Sequence, residues 1–120
     1  MIPGSALRKL EQITGLKATK EADGLFKLEI SPSVAYFSFL KDEKKACLAL
    51  EQDNWRRVSR EVMETQGWKC VQCGSREGLS CHHLIFRSRW RFSIHGPRDV
   101  SSNLHALCCN CHNAAHGIGV

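Results

Sequence analysis

The stretches that decide the fold are Cys70-Val71-Gln72-Cys73-Gly74 and Cys108-Cys109-Asn110-Cys111, two Cys-x-x-Cys patterns separated by thirty-four residues. Two residues between paired cysteines let one tight turn direct both sulfurs to the same ion, about 2.3 Å away. Four thiolates make a closed tetrahedral shell, so we predict a structural Zn2+ ion bound by Cys70, Cys73, Cys108 and Cys111. A redox role for these pairs would need a thioredoxin-like βαβ context, which the sequence does not indicate.

The number and spacing of the cysteines indicate whether the protein works in a reducing or an oxidising cellular compartment. The chain has seven cysteines, and this odd number together with the Cys-x-x-Cys spacing favours metal thiolates over disulfides. We therefore expect Cys47, Cys81 and Cys109 to be free thiols. The first residues lack the basic start and the apolar stretch of a secretory signal, and no apolar run approaches the roughly 18 residues that a membrane span needs. The expectation is a cytoplasmic protein without membrane association.

Chain length limits the size of the core, and net charge limits the kinds of binding partner. A chain of 120 residues can bury one modest core, or two small ones if a metal helps to hold one of them. The formal net charge of +5 permits a polyanionic partner without requiring one. Four arginines lie within twelve residues that contain no acid, namely Arg87, Arg89, Arg91 and Arg98. This segment is either a solvated basic loop or a strip that binds phosphates.

The first fifty residues predict a helix followed by strands. Leu7, Leu10 and Ile13 have helical spacing, with Ser5 as a candidate N-cap and Gly15 as the stop, so we predict a helix over residues 6–14. Apolar and charged residues alternate over residues 26–30, which is typical of a strand with one buried face. Residues 34–40 and 46–50 are predicted to be further strands. Residues 1–51 are thus interpreted as a helix plus a small antiparallel β-meander, of open role.

A second helix is predicted from Asp53, with Asp53 or Asn54 as its cap and Gly67 as its end. Its apolar stripe is formed by Trp55, Val58, Val62 and Met63, and its exposed face carries Arg56, Arg57 and Arg60. Such a stripe is typical of core packing. We place a domain boundary before this helix, so that residues 52–120 form the second unit.

Histidines cluster between and after the cysteine pairs. His112 and His116 are four residues apart on a predicted helix, so their imidazoles share one face and can hold a single ion. His82 and His83 are adjacent and would point to opposite faces of a regular strand. Both can reach one site only if the strand ends or twists there, which we predict. No motif surrounds His95 and His105, which we interpret as structural or surface residues.

These landmarks in this order, Cys81-His82-His83, Asn103-Leu104 and Cys-x-x-Cys-His-x-x-x-His, resemble the HNH endonuclease family with its ββα-metal core. The resemblance covers about residues 52–117. It implies an α+β fold in which a ββα-metal core with a zinc knuckle follows the N-terminal helix and meander. It also implies metal-dependent hydrolysis of phosphodiester bonds of DNA, by nicking or by double-strand cleavage.

The resemblance assigns roles to individual residues. It makes His83 the general base and His82 and His112 ligands of a catalytic divalent metal, with His116 a third ligand or a phosphate contact. Asn103 would fix the loop of the ββα core through side-chain hydrogen bonds and so aim the base, although a simple turn residue is the alternative. Hydrolysis of a phosphodiester needs these functions: an activated water, charge stabilisation at the phosphate and help for the leaving oxygen.

The sequence departs from the usual family pattern in two places. His82 stands where an acidic residue is usual, and an imidazole-rich site favours Mn2+, Ni2+ or Zn2+ over Mg2+. The loop over residues 86–99 is longer than usual and contains Trp90, Phe92 and His95. It either contacts a phosphate backbone, with Arg87, Arg89 and Arg91 as the predicted DNA contacts, or forms an extended hairpin with two buried aromatic residues.

A second function stays open alongside the nuclease. The same scaffold can serve as a catalytically inactive, zinc-stabilised module that binds DNA or protein. The small size resembles that of HNH proteins of phages and mobile elements, which implies a packaging or restriction partner. Target sequence, metal identity and oligomeric state do not follow from the residues.

Overall fold

A computed structural model describes residues 5–85 and 87–115 of the chain. The regular elements, in chain order, are α1 Ser5–Thr14, β1 Lys17–Lys20, β2 Phe26–Ser31, β3 Val34–Ser38, α2 Glu43–Thr65, β4 Leu79–His83, α3 Phe92–His95, a 3-10 turn Ser101–Asn103, β5 Leu104–Cys108 and α4 Cys109–Ala115. This is an α+β fold, as predicted. No helix in the described part of the chain is both long and apolar enough to cross a membrane.

The N-terminal helix and the antiparallel meander are confirmed. α1 ends at Thr14, and Gly15 follows at φ +72°, a left-handed conformation that glycine adopts without steric cost. Strands β1, β2 and β3 pair antiparallel in that order. Their apolar face packs with α1 and the start of α2 around Leu10, Phe26 and Leu50, each no more than 2% exposed. The strand predicted over residues 46–50 is wrong, because these residues are helical.

Helix α2 is longer than predicted and connects the two halves of the molecule. It begins at Glu43, where the carboxylate of Asp42 caps it by accepting a hydrogen bond of 2.9 Å from the Lys45 amide. The start predicted at Asp53 is therefore wrong by ten residues. The end is as predicted, with Gly67 at φ +73° after the last turn. The proposed domain boundary between residues 51 and 52 falls inside this helix.

Strands β4 and β5 pair antiparallel, and α4 follows β5 without a break, which is the predicted ββα arrangement. α2 covers one face of this hairpin, where Val58 and Val62 form a buried cluster with Leu104. The hairpin ends at the pair His83 and Leu104. The chain leaves the sheet at this point and forms the long loop before it returns through the 3-10 turn.

The long loop is not an extended hairpin with two buried aromatic residues. It contains the short helix α3, and Phe92 and Ile94 are 41% and 76% exposed. Trp90 is half-buried. Its indole N–H donates to the carbonyl of Gly96 at 2.9 Å, and the Arg98 guanidinium lies 5.7 Å from its ring centre. The loop is thus folded on itself and anchored by one aromatic residue.

Candidate metal centre and adjoining cleft

The four predicted cysteines converge at one point. Their sulfur atoms all lie within 4.8 Å of one another, and those of Cys73 and Cys108 are 3.6 Å apart. A tetrahedral zinc site with metal–sulfur distances of about 2.3 Å places its sulfurs about 3.8 Å apart. The cluster therefore fits such an ion. Within residues 5–85 and 87–115 no other group of three or more metal-binding side chains meets the same condition.

Backbone hydrogen bonds shape the two turns that hold the cysteines. The Gly74 amide donates to the carbonyl of Cys70 at 2.9 Å, and Gly74 has φ +76°, which a β-carbon would strain. On the second turn the Cys111 amide donates to the sulfur of Cys108 at 3.5 Å. The Cys111 N–H orients a sulfur lone pair of Cys108 and stabilises its thiolate, whereas the Gly74 hydrogen bond closes the first turn around Cys70 and Cys73.

The ionisation of the cluster supports a bound cation. Burial raises the pKa of the Cys70 thiol, but backbone hydrogen bonds, first that to Cys108, outweigh burial and lower this pKa to about 6. Hydrogen bonds with the other cysteine side chains, first with Cys108, raise the pKa of Cys111 to about 12. Four neighbouring thiolates repel each other without a positive charge among them. A divalent ion supplies that charge and allows all four to ionise.

The cysteines that were predicted to be free lie outside the cluster. Cys47 packs in the N-terminal core and Cys81 lies on β4. Burial raises the pKa of each to about 11, so both stay protonated thiols near neutral pH. Cys109 is exposed beside the second turn.

Two of the predicted catalytic-metal ligands are in contact. The imidazoles of His82 on β4 and His112 on α4 stack with ring centres 3.8 Å apart and planes 15° from parallel. Nε2 of His82 is also 2.6 Å from the hydroxyl of Ser80, two residues earlier on the same strand face. His116, the third predicted ligand, lies outside the described residues. The β4–β5 hairpin and α4 therefore bring together the two predicted metal ligands that lie among the described residues.

His83 occupies the other face of β4, towards α2. Its ring stacks on Trp55 with 5.1 Å between centres, and its Nε2 lies 2.7 Å from Oδ1 of Asp99. β4 ends at His83, as the adjacent histidines required. Beyond this point the sheet no longer separates the two rings, and both His82 and His83 line one cleft of about 450 Å³. Arg87 also lines this cleft.

Sequence reasoning missed the group that holds His83. Asp99 is 2% exposed, and both of its carboxylate oxygens accept hydrogen bonds from Arg98, at 2.9 and 3.3 Å. Arg98 in turn lies 2.6 Å from a carboxylate oxygen of Glu51 on α2. Burial raises the pKa of Asp99, but the hydrogen bonds from His83 and Arg98 outweigh it and lower this pKa below the usual value. Arg98 is thus not part of the exposed basic strip.

Asn103 closes the long loop. Its side-chain oxygen accepts from the Ile85 amide at 3.0 Å, its side-chain nitrogen donates to the Arg98 carbonyl at 2.9 Å, and its own carbonyl accepts from the Leu84 amide at 2.7 Å. These bonds join the start and the end of the loop directly after His83. Asn103 is 8% exposed, so its polar atoms need these internal partners. It is more than a turn residue.

The three arginines predicted to contact DNA are exposed on the loop. Arg87 lies at the cleft, whereas Arg91 bonds to the carbonyl of Trp90 at 2.9 Å. His95 and His105, which belong to no motif, lie in local structural contacts outside the cleft. Nδ1 of His95 accepts from the Arg91 amide at 3.0 Å, and His105 pairs across the hairpin with His82. Burial lowers the pKa of His105.

Comparison with protein families decides the class of this region. Residues 70–117 match the family model described as HNH endonuclease. This segment is an HNH domain. The match begins at Cys70, the first cysteine of the cluster, and includes the β4–β5 hairpin and the segment of α4. No curated protein and no solved structure matches the chain. The HNH domain indicates a nuclease or a nucleic-acid-binding function, with DNA as the expected substrate.

Proposed function

We propose that the protein is a metal-dependent endonuclease that hydrolyses phosphodiester bonds of DNA. The observation that carries the proposal is the cleft of the HNH domain, where His82, His83 and Arg87 meet. A hydrolase of this kind needs a metal ligand, a base and a phosphate contact within reach of one another. The three residues supply one of each.

His82, His112 and His116 would hold the catalytic ion. When bound, a divalent ion at this place would stabilise negative charge on the scissile phosphate and on the leaving oxygen. Imidazole nitrogens suit Mn2+, Ni2+ or Zn2+ better than Mg2+, which prefers carboxylate and water oxygens. The stacked rings of His82 and His112 already lie side by side at the end of the hairpin.

His83 would act as the general base that takes a proton from the attacking water. Its ring is fixed between Trp55 and Asp99, and Asn103 fixes the loop that follows it. A base held in one orientation loses little entropy when the reaction geometry forms. Arg87, Arg89 and Arg91 would contact phosphates on either side of the bond that is cut, because they are exposed cations on the loop at the cleft.

Supercoiled plasmid tests the proposal. The purified wild-type protein should nick or cut the plasmid in at least one of Mn2+, Mg2+, Ni2+ or Zn2+. His83→Ala should lower the rate by about 10²- to 10⁴-fold, the usual contribution of a general base, while zinc content and DNA binding persist. Glu64→Gln is the control, because Glu64 is an exposed residue of α2 whose side chain does not line the cleft. Plasmid that stays intact with every metal, although the protein binds it, would favour the inactive DNA-binding module.

The arginines are tested by the salt dependence of binding. Each phosphate contact lowers the logarithm of the association constant by about 0.9 per logarithmic unit of salt. Changing Arg87, Arg89 and Arg91 together to glutamine should therefore flatten this dependence by up to about 2.7. An unchanged slope would exclude these arginines as DNA contacts and leave the base and the metal ligands untouched.

A further inference from the structure

Asp99 meets His83 in a way that restricts the proton of the imidazole. Its carboxylate lies 2.7 Å from Nε2 of His83, and Arg98 donates to the same oxygen at 2.9 Å and to the other at 3.3 Å. An arginine stays charged at any pH at which proteins fold, and a buried carboxylate beside it is ionised. An ionised carboxylate only accepts hydrogen bonds.

It follows that Nε2 of His83 must be the donor in this contact. A neutral imidazole carries one N–H group, so a proton held on Nε2 leaves the lone pair of Nδ1 available. The other tautomer would set the lone pair of Nε2 against the carboxylate of Asp99 at 2.7 Å, without a proton between them. That arrangement is repulsive and would leave the buried carboxylate with one partner fewer.

We propose that Asp99 is a positioning residue that locks His83 in the Nε2–H tautomer and makes Nδ1 the basic nitrogen of the site. The inference that Nδ1 serves catalysis rests on the proposed nuclease function, whereas the tautomer lock does not. In the reaction, Nδ1 takes a proton from water while the water oxygen bonds to phosphorus and one phosphorus–oxygen ester bond breaks. The departing oxygen is protonated from solvent, and the proton on Nδ1 returns to solvent.

Glu51 and Trp55 hold this arrangement in place from one turn of α2. Arg98 reaches Glu51 at 2.6 Å with the same guanidinium nitrogen that lies 3.3 Å from Asp99. Trp55, four residues along the helix, stacks on the His83 ring and restricts its rotation. The charged chain and the aromatic contact therefore act on the same imidazole from two directions. When the imidazole becomes positively charged, the Asp99 carboxylate stabilises it, as the aspartate does in a serine-protease triad.

Nitrogen NMR of the protein with labelled histidine tests the lock directly. The His83 signals are those absent from the spectrum of His83→Ala, and long-range proton–nitrogen correlations identify the protonated nitrogen. We expect the Nε2–H form of His83 in the zinc-loaded wild-type protein. A wild-type spectrum with the Nδ1–H form would overturn the proposal, whatever the variants do.

Asp99→Asn provides the second measurement. The new amide can donate to Nε2, which permits the Nδ1–H tautomer, so the His83 signals should shift towards that form. Plasmid cleavage should fall by about 10²- to 10⁴-fold, no further than in His83→Ala, because Asp99 acts only through the base, with zinc content and DNA binding kept. Glu64→Gln, which removes an exposed carboxylate from α2, should change neither the spectrum nor the cleavage.

The outcomes separate the two proposals. Unchanged His83 signals and unchanged cleavage in Asp99→Asn would refute the positioning role while the nuclease survives. A wild-type protein that shows the Nε2–H form but cuts no DNA would keep the lock and refute the nuclease. If Asp99→Asn fails to fold, the wild-type spectrum still decides, and Asp99→Glu, which retains the carboxylate, should keep the Nε2–H form.

Discussion

Replacing Arg98 by methionine should destabilise the protein far more than the same replacement of Arg56, although each arginine contacts an aspartate at nearly the same distance. Nε of Arg98 lies 2.9 Å from Oδ1 of Asp99, and Nη1 of Arg56 lies 3.0 Å from Oδ1 of Asp53. The two pairs differ in burial. The side chains of the first pair are 10% and 2% exposed, and those of the second are 73% and 37% exposed.

The magnitudes follow from solvent screening. Two unit charges 4 Å apart attract by about 4 kcal/mol at an effective dielectric constant of about 20, and removal of one partner from a buried pair costs about 3–5 kcal/mol. An exposed pair contributes only about 0–1 kcal/mol. Methionine keeps the apolar stem of arginine, so little packing is lost. We expect a loss of about 3–5 kcal/mol for Arg98→Met and less than about 1 kcal/mol for Arg56→Met.

Urea unfolding followed by far-ultraviolet circular dichroism measures both losses, with zinc in excess throughout. In a thermal scan, an unfolding entropy of about 0.25 kcal/mol per kelvin for a chain of 120 residues converts the loss into a fall in Tm of about 12–20 °C. The urea dependence of the free energy of unfolding should stay the same, which shows that the unfolded reference has not changed. Equal losses for the two variants, or a loss below about 1 kcal/mol for Arg98→Met, would refute the argument from burial.

Three further predictions concern the zinc ion, the N-terminal turn and acid stability. A zinc chelator should remove one structural ion per chain and abolish the near-ultraviolet circular dichroism, because a core this small depends on its ion. The Cys111→Ser variant should lose zinc, and the neighbouring Cys109→Ser variant should keep it. Equal loss of zinc from both variants would contradict the assigned ligands. Gly15→Ala should lower the stability of the fold more than Gly24→Ala. Both glycines have positive φ, which costs about 1–2 kcal/mol for alanine, but only at Gly15 would a new Cβ also meet Pro97, at 3.0 Å. Equal Tm values for the two variants would contradict this. Because the pKa of Asp99 is lowered in the fold, its ionised form stabilises the protein at pH values above the pKa of an unfolded aspartate, and this stabilisation is lost as pH falls below about 4. The free energy of unfolding of Asp99→Asn should therefore fall less steeply with decreasing pH in this range. A pH dependence equal to that of the wild type would contradict the prediction.

Local spacing predicted the parts of the site that depend on local geometry. Two Cys-x-x-Cys turns need only two residues each to aim their sulfurs, and the four sulfurs converge as expected. The adjacent His82 and His83 could share a cleft only at a strand end, and β4 ends there. Constraints of this kind follow from the local sequence. They do not depend on how distant segments pack.

The start of α2 was missed because a buried polar residue interrupts its apolar pattern. Residues 46–50 are a short apolar run, which periodicity alone cannot assign to helix or strand. Leu50, Asn54 and Val58 continue with the four-residue spacing of one helix face, and all three are buried. Asn54 looked like a cap because it is polar. In the structure its side chain is fully buried and bonds to Arg57 at 2.9 Å and to the carbonyl of Asp99 at 3.4 Å.

The chain of charges behind His83 could not be read from the sequence for a related reason. Arg98 and Asp99 are adjacent in a basic, glycine- and proline-containing segment, which is typical of a solvated loop. Whether such a pair is buried depends on what covers it, and here the cover includes Glu51, 47 residues earlier in the chain. The electrostatic role of a charged residue is therefore set by tertiary packing, to which residue type and spacing give no access.

The N-terminal segment is part of the support for the site and not an appendage to it. The Asp99 amide donates to the carbonyl of Ile13 at 2.7 Å, at the end of α1. Gly15 approaches Pro97 so closely that even a Cβ atom would touch it at 3.0 Å. Glu51 neutralises the arginine between these two loop residues. All three contacts come from residues before position 52 and end on residues 97–99, so the carboxylate that orients the proposed base is held by segments on both sides of the boundary that the sequence suggested.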